Sequence, residues 1–200
     1  MGMVTAEEGS LLVANARSCI EHHLRGTPYE APPGLPESFF EKSGVFVTLK
    51  TYPERQLRGC IGYPEPSLPL FEALCDAAVS AATRDPRFYP VTLPELEALV
   101  VEVTVLTPPV PVSGCQDLAK AVRVGRDGLI IEKGYHKGLL LPQVPVEWGW
   151  TEEEYLSQTC VKAGLSPDAW STDGVTVFTF TGQVFSETRP QGETVEHTWT

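Results

Sequence analysis

The sequence predicts an α+β fold, in which a mainly antiparallel sheet is flanked by helices. Three observations support this prediction. Short segments alternate between apolar and polar residues, as half-buried strands do, and turn residues separate neighbouring segments. Helical periodicity falls between groups of strands rather than after each strand, which argues against a doubly wound sheet. The chain has 200 residues, 42% of them hydrophobic, enough for one sizeable core or for two small lobes sharing one.

The first half of the chain contains two predicted helices and a hairpin. A capping box at Thr5–Glu8 precedes apolar residues at helical spacing, and it marks the start of the first helix. Ser67 is the predicted N-cap of the second helix. The predicted elements are a helix over 6–24, a loop over 26–36, strands over 44–50 and 57–63 joined by a turn over 51–56, and a helix over 69–84.

The second half predicts shorter elements and a closing strand. A second capping box, at Thr151–Glu154, opens a helix that ends at Gly164. The other predicted elements are a short helix over 92–99, a strand over 100–107, two short strands within 122–132 around a turn at 126–128, a strand over 139–141 and one long strand over 175–185. The polar residues after Thr188 are expected to be frayed.

Composition excludes several classes of function. Acidic residues outnumber basic ones by 11, and Lys and Arg are dispersed, so we predict no tight binding of nucleic acid. No apolar run approaches the length of a bilayer, and the N-terminus lacks the features of a signal peptide, so we expect a cytoplasmic protein without a membrane segment. The five cysteines are scattered and form no C-x-x-C pair, which fits a reducing compartment rather than a disulfide scaffold or a zinc ribbon.

The segment Leu57-Arg58-Gly59-Cys60-Ile61-Gly62 is the most unusual in the chain. In a strand, Arg58, Cys60 and Gly62 share one face, which places a guanidinium beside a thiol. A neighbouring cation favours the thiolate, which is the nucleophile and the metal ligand. Glycine within a strand indicates close approach of a backbone or of a ligand. The competing interpretation is that the glycines admit the second helix and that Cys60 only fills space.

The other cysteines and the histidines give weaker evidence for a functional site than Cys60 does. Cys75 and Cys160 have helical spacing typical of core packing. Cys115 has no evident partner. Cys19 and His23 lie four residues apart on one helix, but no second pair completes a metal site, so none is predicted. Among the histidines only His136, in a turn predicted over 134–138, could act as a base, and the competing interpretation is that it is a solvated turn residue.

Two further segments combine charge with proline. Asp85 and Arg87 follow the second helix, and Asp85 is expected to cap the chain or to pair with Arg87 or Arg58. Glu147 is a lone acid within the apolar segment 139–150. It is either a paired structural group or a functional one.

Three motifs resemble one family. L-R-G-C-I-G at 57–62, D-x-R-F-x-P at 85–90 and L-P-x-V-x-x-E-x-x-W at 141–150 are similar, in order and spacing, to the AMMECR family, and most of all to its stand-alone form, AmmeMemoRadiSam system protein A. The resemblance implies a single domain over 5–190, followed by a polar tail over 191–200, in two closely joined lobes with a cleft between them. It also implies association with Memo-type proteins and radical SAM enzymes, but no known reaction. Pro145 departs from the small helix-forming residue expected there.

Two hypotheses follow. In the first, Cys60 is a nucleophile or thiolate ligand, Arg58 lowers its pKa or binds an anionic substrate group, and Glu147 is a general acid or base. Gly59, Gly62, Asp85 and Arg87 would line the same cleft. In the second, the chain is a non-catalytic adaptor that binds a small anion or a partner surface. No cofactor is identified. A cluster of arginines near Cys60 would suit a single phosphate or carboxylate; its expected members are Arg55, Arg58, Arg84 and Arg87.

Overall fold

The computed structural model describes residues 4–112 and 118–197, and it confirms the predicted α+β fold. The chain folds into two compact units. Of the described residues, 4–107 and 183–197 form unit 1, and 108–112 and 118–182 form unit 2. Within the described residues, no helix has both the length and the apolar character that a membrane crossing requires.

The α-helices are α1 (Ala6–Leu24), α2 (Leu70–Thr83), α3 (Leu93–Leu96), α4 (Leu118–Ala121), α5 (Gln143–Trp148) and α6 (Glu152–Lys162). The strands are β1 (Gly44–Thr51), β2 (Leu57–Tyr63), β3 (Leu99–Leu106), β4 (Val110–Pro111), β5 (Gly128–Lys133), β6 (His136–Leu140), β7 (Thr176–Phe180), β8 (Gly182–Glu187) and β9 (Thr194–His197).

Unit 1 is built on a five-stranded sheet with the order β2-β1-β3-β8-β9. Successive residues of a strand point to opposite faces, and on β1 the residues Val45, Val47 and Leu49 are fully buried. Helix α2 packs against β1 and β2, and α1 packs against α2 and β3. The opposite face of β1 carries Thr48 and Lys50. The strand alternation therefore separates an apolar face from a face with polar groups.

Helix α1 has the predicted bounds and the predicted capping box. The Thr5 hydroxyl accepts a hydrogen bond from the backbone N–H of Glu8, and the Glu8 carboxylate accepts one from the N–H of Thr5. In its first turn, Gly9 lies against the ring of Phe185 of β8, where a Cβ would come within 2.2 Å of a ring carbon. The first helix is thereby held close to the sheet.

Helix α2 begins and ends within one residue of the predicted bounds. The expected N-cap at Ser67 is wrong, because Pro69 is the residue before the first helical residue and no side chain caps this end. Its buried face is rich in small residues, which are Ala73, Ala77, Ala78, Ser80, Ala81 and Ala82. Short side chains allow the helix backbone to lie close to the sheet.

Unit 2 contains a four-stranded sheet with the order β4-β7-β5-β6. Helix α6 packs against β5 and β6. Its Leu156 and Cys160 are fully buried in one cluster with Leu129 and Ile131 of β5. The prediction that Cys160 is a core residue is confirmed.

Two predictions for residues 122–138 are wrong. Only Gly128–Lys133 of the segment 122–132 forms a strand, because the Asp127 carboxylate accepts the backbone N–H of Arg123 and holds the preceding residues in a turn. His136 is not a turn residue but the first residue of β6, opposite Lys133. The turn between the two strands consists of Gly134 and Tyr135.

The predicted long strand over 175–185 is two strands in different sheets. β7 pairs with β5 in unit 2, whereas β8 belongs to the sheet of unit 1. Alternation marks both segments as strands but carries no information about the partner strand, so the break at Thr181 was not predicted. The expected fraying after Thr188 is also wrong at Thr194–His197, which forms β9 and pairs with β8.

The helix α5 was not predicted as an element. Pro145 lies buried within its first turn, a position where a missing N–H costs no intrahelical hydrogen bond. Its carbonyl accepts the backbone N–H of Trp150. The departure of Pro145 from the expected residue is therefore compatible with a helix.

Candidate functional site

The two glycines of the L-R-G-C-I-G segment face protein atoms. Gly59 lies against α2, where a Cβ would come within 2.2 Å of the carbonyl oxygen of Ala81. Gly62 lies against β1, where a Cβ would come within 2.4 Å of the ring of Phe46. Close approach of the protein itself accounts for both glycines. The ligand contacts expected at these positions remain a prediction.

The backbone of Cys60 is bound by the D-x-R motif. Because β2 is an edge strand of its sheet, Cys60 turns its N–H and C=O away from β1. The N–H donates to Oδ2 of Asp85 at 2.9 Å, and the C=O accepts from Nη2 of Arg87 at 3.4 Å. The structure therefore brings together three of the predicted site residues, Cys60, Asp85 and Arg87.

Asp85 and Arg87 form a bidentate ion pair. Arg87 Nε donates to Oδ1 at 3.0 Å and Nη2 to Oδ2 at 2.7 Å, while the backbone N–H of Arg87 also donates to Oδ1. The Asp85 side chain is 2% exposed and that of Arg87 is 53% exposed. Hydrogen bonds from Arg87, aided by the N–H of Cys60, hold the pKa of Asp85 well below its usual range despite burial. The carboxylate is thus ionised at all ordinary pH values.

The thiol of Cys60 lies in a mixed environment on the sheet face opposite α2. The Thr48 hydroxyl of β1 donates a hydrogen bond to Sγ at 3.3 Å. Burial raises the pKa of the Cys60 thiol, and the charges of Asp85 and Glu102 add to the rise. The bond from Thr48 and the charge of Arg87 act in the opposite direction but do not outweigh it. The thiol is therefore neutral at pH 7.

Arg58 is engaged by a carboxylate. Its Nε and Nη2 donate to the two oxygens of Glu95 at 2.5 and 3.1 Å, and Glu95 also belongs to the capping box of α3. The guanidinium lies 5.7 Å from the ring centre of Phe88, and that of Arg87 lies 5.5 Å from the same ring. The positive charge that acts on the Cys60 thiol comes from Arg87 rather than from Arg58.

Several residues of this site were missed by sequence reasoning. Thr48 of β1 lies opposite Cys60 on one side and opposite Glu102 of β3 on the other. Lys50 Nζ donates to Glu102 at 2.7 Å, and this pair is mostly buried. One sequence signal could have identified them: Thr48 and Glu102 are each a polar residue on the outward face of an otherwise apolar strand. Their pairing with Cys60 required the strand register.

The four arginines expected near Cys60 are each bound to acceptors. Arg55 donates to Ser186 and to backbone carbonyls at the end of β8. Arg84 lies 3.6 Å from the carboxylate of Asp76, and Arg58 and Arg87 have the carboxylate partners described above. An anion at this site therefore competes with acceptors already in place, and it has to use donors that these bonds leave unoccupied.

Glu147 lies in unit 2, on α5, with an exposed side chain. Its neighbours Val146 and Trp148 are also exposed, and Trp148 stacks on Trp150. The other six predicted site residues lie in unit 1. A role for Glu147 beside Cys60 remains a prediction.

No metal centre is apparent in the parts of the chain that the structure describes. Across residues 4–112 and 118–197, no three His, Cys, Asp or Glu side chains are grouped closely enough to hold an ion. His23 is exposed whereas Cys19 is buried, so these two do not face one point. His136 Nδ1 lies 3.2 Å from the carbonyl of Ala163 in unit 2. Cys115 lies outside the described residues.

Comparisons with known proteins agree with these motifs. The family model AMMECR1 matches residues 13–185. Protein MJ0810 of Methanocaldococcus jannaschii is 53% identical over 98% of both chains, and a protein of Thermococcus gammatolerans is 52% identical over 96% of both. The crystal structure of the uncharacterized protein PH0010 from Pyrococcus horikoshii superposes with a TM-score of 0.83 at 50% identity, covering 97% of this chain and 98% of that one. The chain belongs to the AMMECR1 family.

Proposed function

We propose that this chain is a non-catalytic ligand-binding or adaptor module whose Cys60 site docks a small anionic ligand through Arg87. The supporting observation is that Arg87 is fixed by a buried carboxylate while about half of its side chain stays exposed. A guanidinium held in this way is oriented before a ligand arrives, so little side-chain entropy is lost on binding.

The donors of Arg87 support this proposal. Its bonds to Asp85 and Cys60 use Nε and Nη2. Among the described residues, these bonds leave the two N–H groups of Nη1 for a phosphate or carboxylate oxygen. Asp85 already accepts from four donors, which disperses the negative charge that an incoming anion would meet.

The state of the thiol favours binding over nucleophilic catalysis. A nucleophilic cysteine requires the thiolate, and the raised pKa of Cys60 disfavours it. A neutral thiol beside Thr48 is suited to contact a ligand as a weak hydrogen-bonding and apolar group. In this proposal a cytoplasmic partner receives or senses the ligand, and the family resemblance suggests Memo-type proteins or radical SAM enzymes.

A thiol-dependent enzyme is the second candidate. This candidate is favoured by the hydrogen bond from Thr48 and by the charge of Arg87, because both lower the pKa of Cys60. A bound substrate that donates further hydrogen bonds to the sulfur would lower this pKa again. In that case Cys60 attacks the substrate and Arg58 contacts its anionic group.

Calorimetric titration of the full chain with a panel of carboxylates, inorganic phosphate and nucleotides tests the proposal. We expect at least one anion to bind, with affinity reduced about tenfold or more in Arg87→Ala and retained in Cys60→Ser. Arg126→Ala is a matched control, because Arg126 makes the same bidentate bond to a buried aspartate, Asp127, and is 50% exposed.

Two outcomes contradict the proposal. Affinity in Arg87→Ala equal to that of wild type would exclude Arg87 as the docking group. Loss of binding in Cys60→Ser together with turnover of a bound compound by wild type would favour the enzyme.

A further inference from the structure

Two cysteines from different helices meet in unit 1. Cys19 of α1 and Cys75 of α2 are 56 residues apart in sequence, and their sulfurs lie 2.6 Å apart. Helices α1 and α2 pack directly against each other, and each also packs against the sheet. The sheet therefore holds both cysteines in place. The sequence alone indicates separate roles for the two thiols, because Cys19 falls in an incomplete metal pair with His23 and Cys75 in the core-packing face of a helix.

We propose that Cys19 and Cys75 form a covalent modification site, in which an intramolecular disulfide links α1 to α2 when a low-molecular-weight disulfide is present as the oxidant. The sulfurs are already closer than two thiols in ordinary contact, and an approach of roughly 0.5 Å brings them to the length of a disulfide bond. This inference is independent of the proposed ligand site at Cys60.

The two thiols differ in access and in protonation. Cys19 is 3% exposed, whereas Cys75 is only partly buried and is reachable from solvent. The Cys19 thiol donates a hydrogen bond to Cys75. This bond lowers the pKa of Cys75, and the same bond together with burial raises the pKa of Cys19. Cys75 is thus the thiol that reacts first, and Cys19 is the one that resolves the intermediate.

The exchange balances in two steps. The Cys75 thiolate attacks one sulfur of the external disulfide, which forms a mixed disulfide and releases one small thiolate. Cys19 then gives up its proton to that thiolate or to water and attacks Sγ of Cys75, which forms the Cys19–Cys75 bond and releases the second small thiol. Two protein thiols are oxidised, and one external disulfide is reduced to two thiols.

The surroundings of the pair favour the intramolecular product. Tyr29, in the loop after α1, lies near both sulfurs, and burial together with the charges of Cys19 and Cys75 raises its pKa. Its hydroxyl donates to the side chain of Asn15 at 2.7 Å, which holds the loop against α1. The thiol of Cys19, with its sulfur 2.6 Å from Sγ of Cys75, is in place to expel an adduct from Cys75.

Peptide mapping of the full chain in glutathione buffers of graded redox ratio tests the site. In oxidising buffer we expect a Cys19–Cys75 cross-linked peptide and a loss of two hydrogens, both reversed by dithiothreitol. The link closes a long loop, so the melting temperature of the oxidised protein should rise by on the order of 5–10 °C. Cys75→Ser should lose both effects, and Cys160→Ser, which changes a cysteine in unit 2, should keep them.

The mapping on wild-type protein does not depend on how the variants fold. The folded protein is held in a buffer that oxidises a free dithiol, and it is then unfolded and alkylated. The proposal fails if Cys19 and Cys75 are both fully alkylated. It fails equally if glutathione remains attached to Cys75 as a stable mixed disulfide, or if the cross-link found joins other cysteines.

Discussion

Asp85 accepts the backbone N–H of Cys60 at 2.9 Å, so a residue that follows α2 holds the edge strand at the centre of the L-R-G-C-I-G segment. The same carboxylate binds Arg87 through both of its oxygens. Two motifs that are separate in the sequence therefore form one structural unit. The thiol, its backbone and the nearest guanidinium are all positioned by a single buried charge.

Replacement of Asp85 by Asn tests the importance of this charge for stability. The amide keeps the shape but loses the charge-assisted hydrogen bonds, so we expect a loss of about 2–3 kcal/mol in the free energy of unfolding at pH 7. Urea unfolding measures this loss. Asp173→Asn, an exposed aspartate in a turn of unit 2, is the control and should change little.

The stability difference between wild type and Asp85→Asn should depend on pH. The pKa of Asp85 is lower in the folded state than in the unfolded chain. The Asp85 charge therefore contributes fully to the free energy of unfolding when the pH is above the pKa of the unfolded chain, which is about 4. This contribution is lost as the pH falls from there towards the lower pKa of the folded state. A difference that stays constant from pH 7 down to pH 2 would show that the charge of Asp85 is not the stabilising feature.

The reactivity of Cys60 should be that of a thiol with a raised pKa. At pH 7 its alkylation by iodoacetamide should be slower than that of free glutathione. The pH at which its alkylation rate is half-maximal should lie above the corresponding pH for free glutathione. Thr48→Val removes a bond that lowers the pKa and should shift the profile to still higher pH. Glu102→Gln removes a charge that raises the pKa and should shift it to lower pH.

Mass spectrometry of the Cys60 peptide provides the rates, and a chemically denatured sample provides the reference for full access. A midpoint below that of free glutathione would contradict the neutral resting thiol and would favour the thiol-dependent enzyme.

The ion pair of Arg17 with Glu187 should be essential for the stability of unit 1. Both side chains are almost fully buried, and Arg17 also donates to the carbonyls of Leu96 and Leu99. Glu187→Gln leaves the guanidinium buried without its counter-charge, so we expect a loss of about 3–5 kcal/mol.

The exposed pair of Glu132 with Lys137 provides the comparison for that measurement. Glu132→Gln should cost less than about 1 kcal/mol, because solvent screens the pair. Equal losses in the two variants, measured by urea unfolding, would refute the importance of burial here.

Substitution of Gly59 by Ala should destabilise the contact of β2 with α2. The new Cβ meets the backbone oxygen of Ala81, which has no side-chain torsion to relieve the clash, so we expect a cost of about 1–3 kcal/mol or more. Gly9→Ala meets only the ring of Phe185, so Phe185→Leu should partly rescue that variant. Wild-type stability in Gly59→Ala would disprove the close packing of α2 on β2.

Local elements with strong signals could be predicted from the sequence. The capping boxes at Thr5 and Thr151 and the apolar spacing behind them predicted α1 and α6, because these signals lie within a few residues of one another. Alternation predicted β3, and two strand-like segments joined by a turn predicted β1 and β2. Cys60, Asp85 and Arg87 were singled out from residue type and motif, and the structure brings them into contact.

Which segments are neighbours could be read only from the folded chain. The division of 175–185 between two sheets, the pairing of β9 with β8, the partnership of Arg58 with Glu95 and the contact of Cys19 with Cys75 all join residues far apart in sequence. Periodicity reports which side of an element is apolar, but it does not report what covers that side or which strand lies alongside. Those choices are made by packing of the whole core, since strand register and helix placement are selected together by the apolar surface they bury.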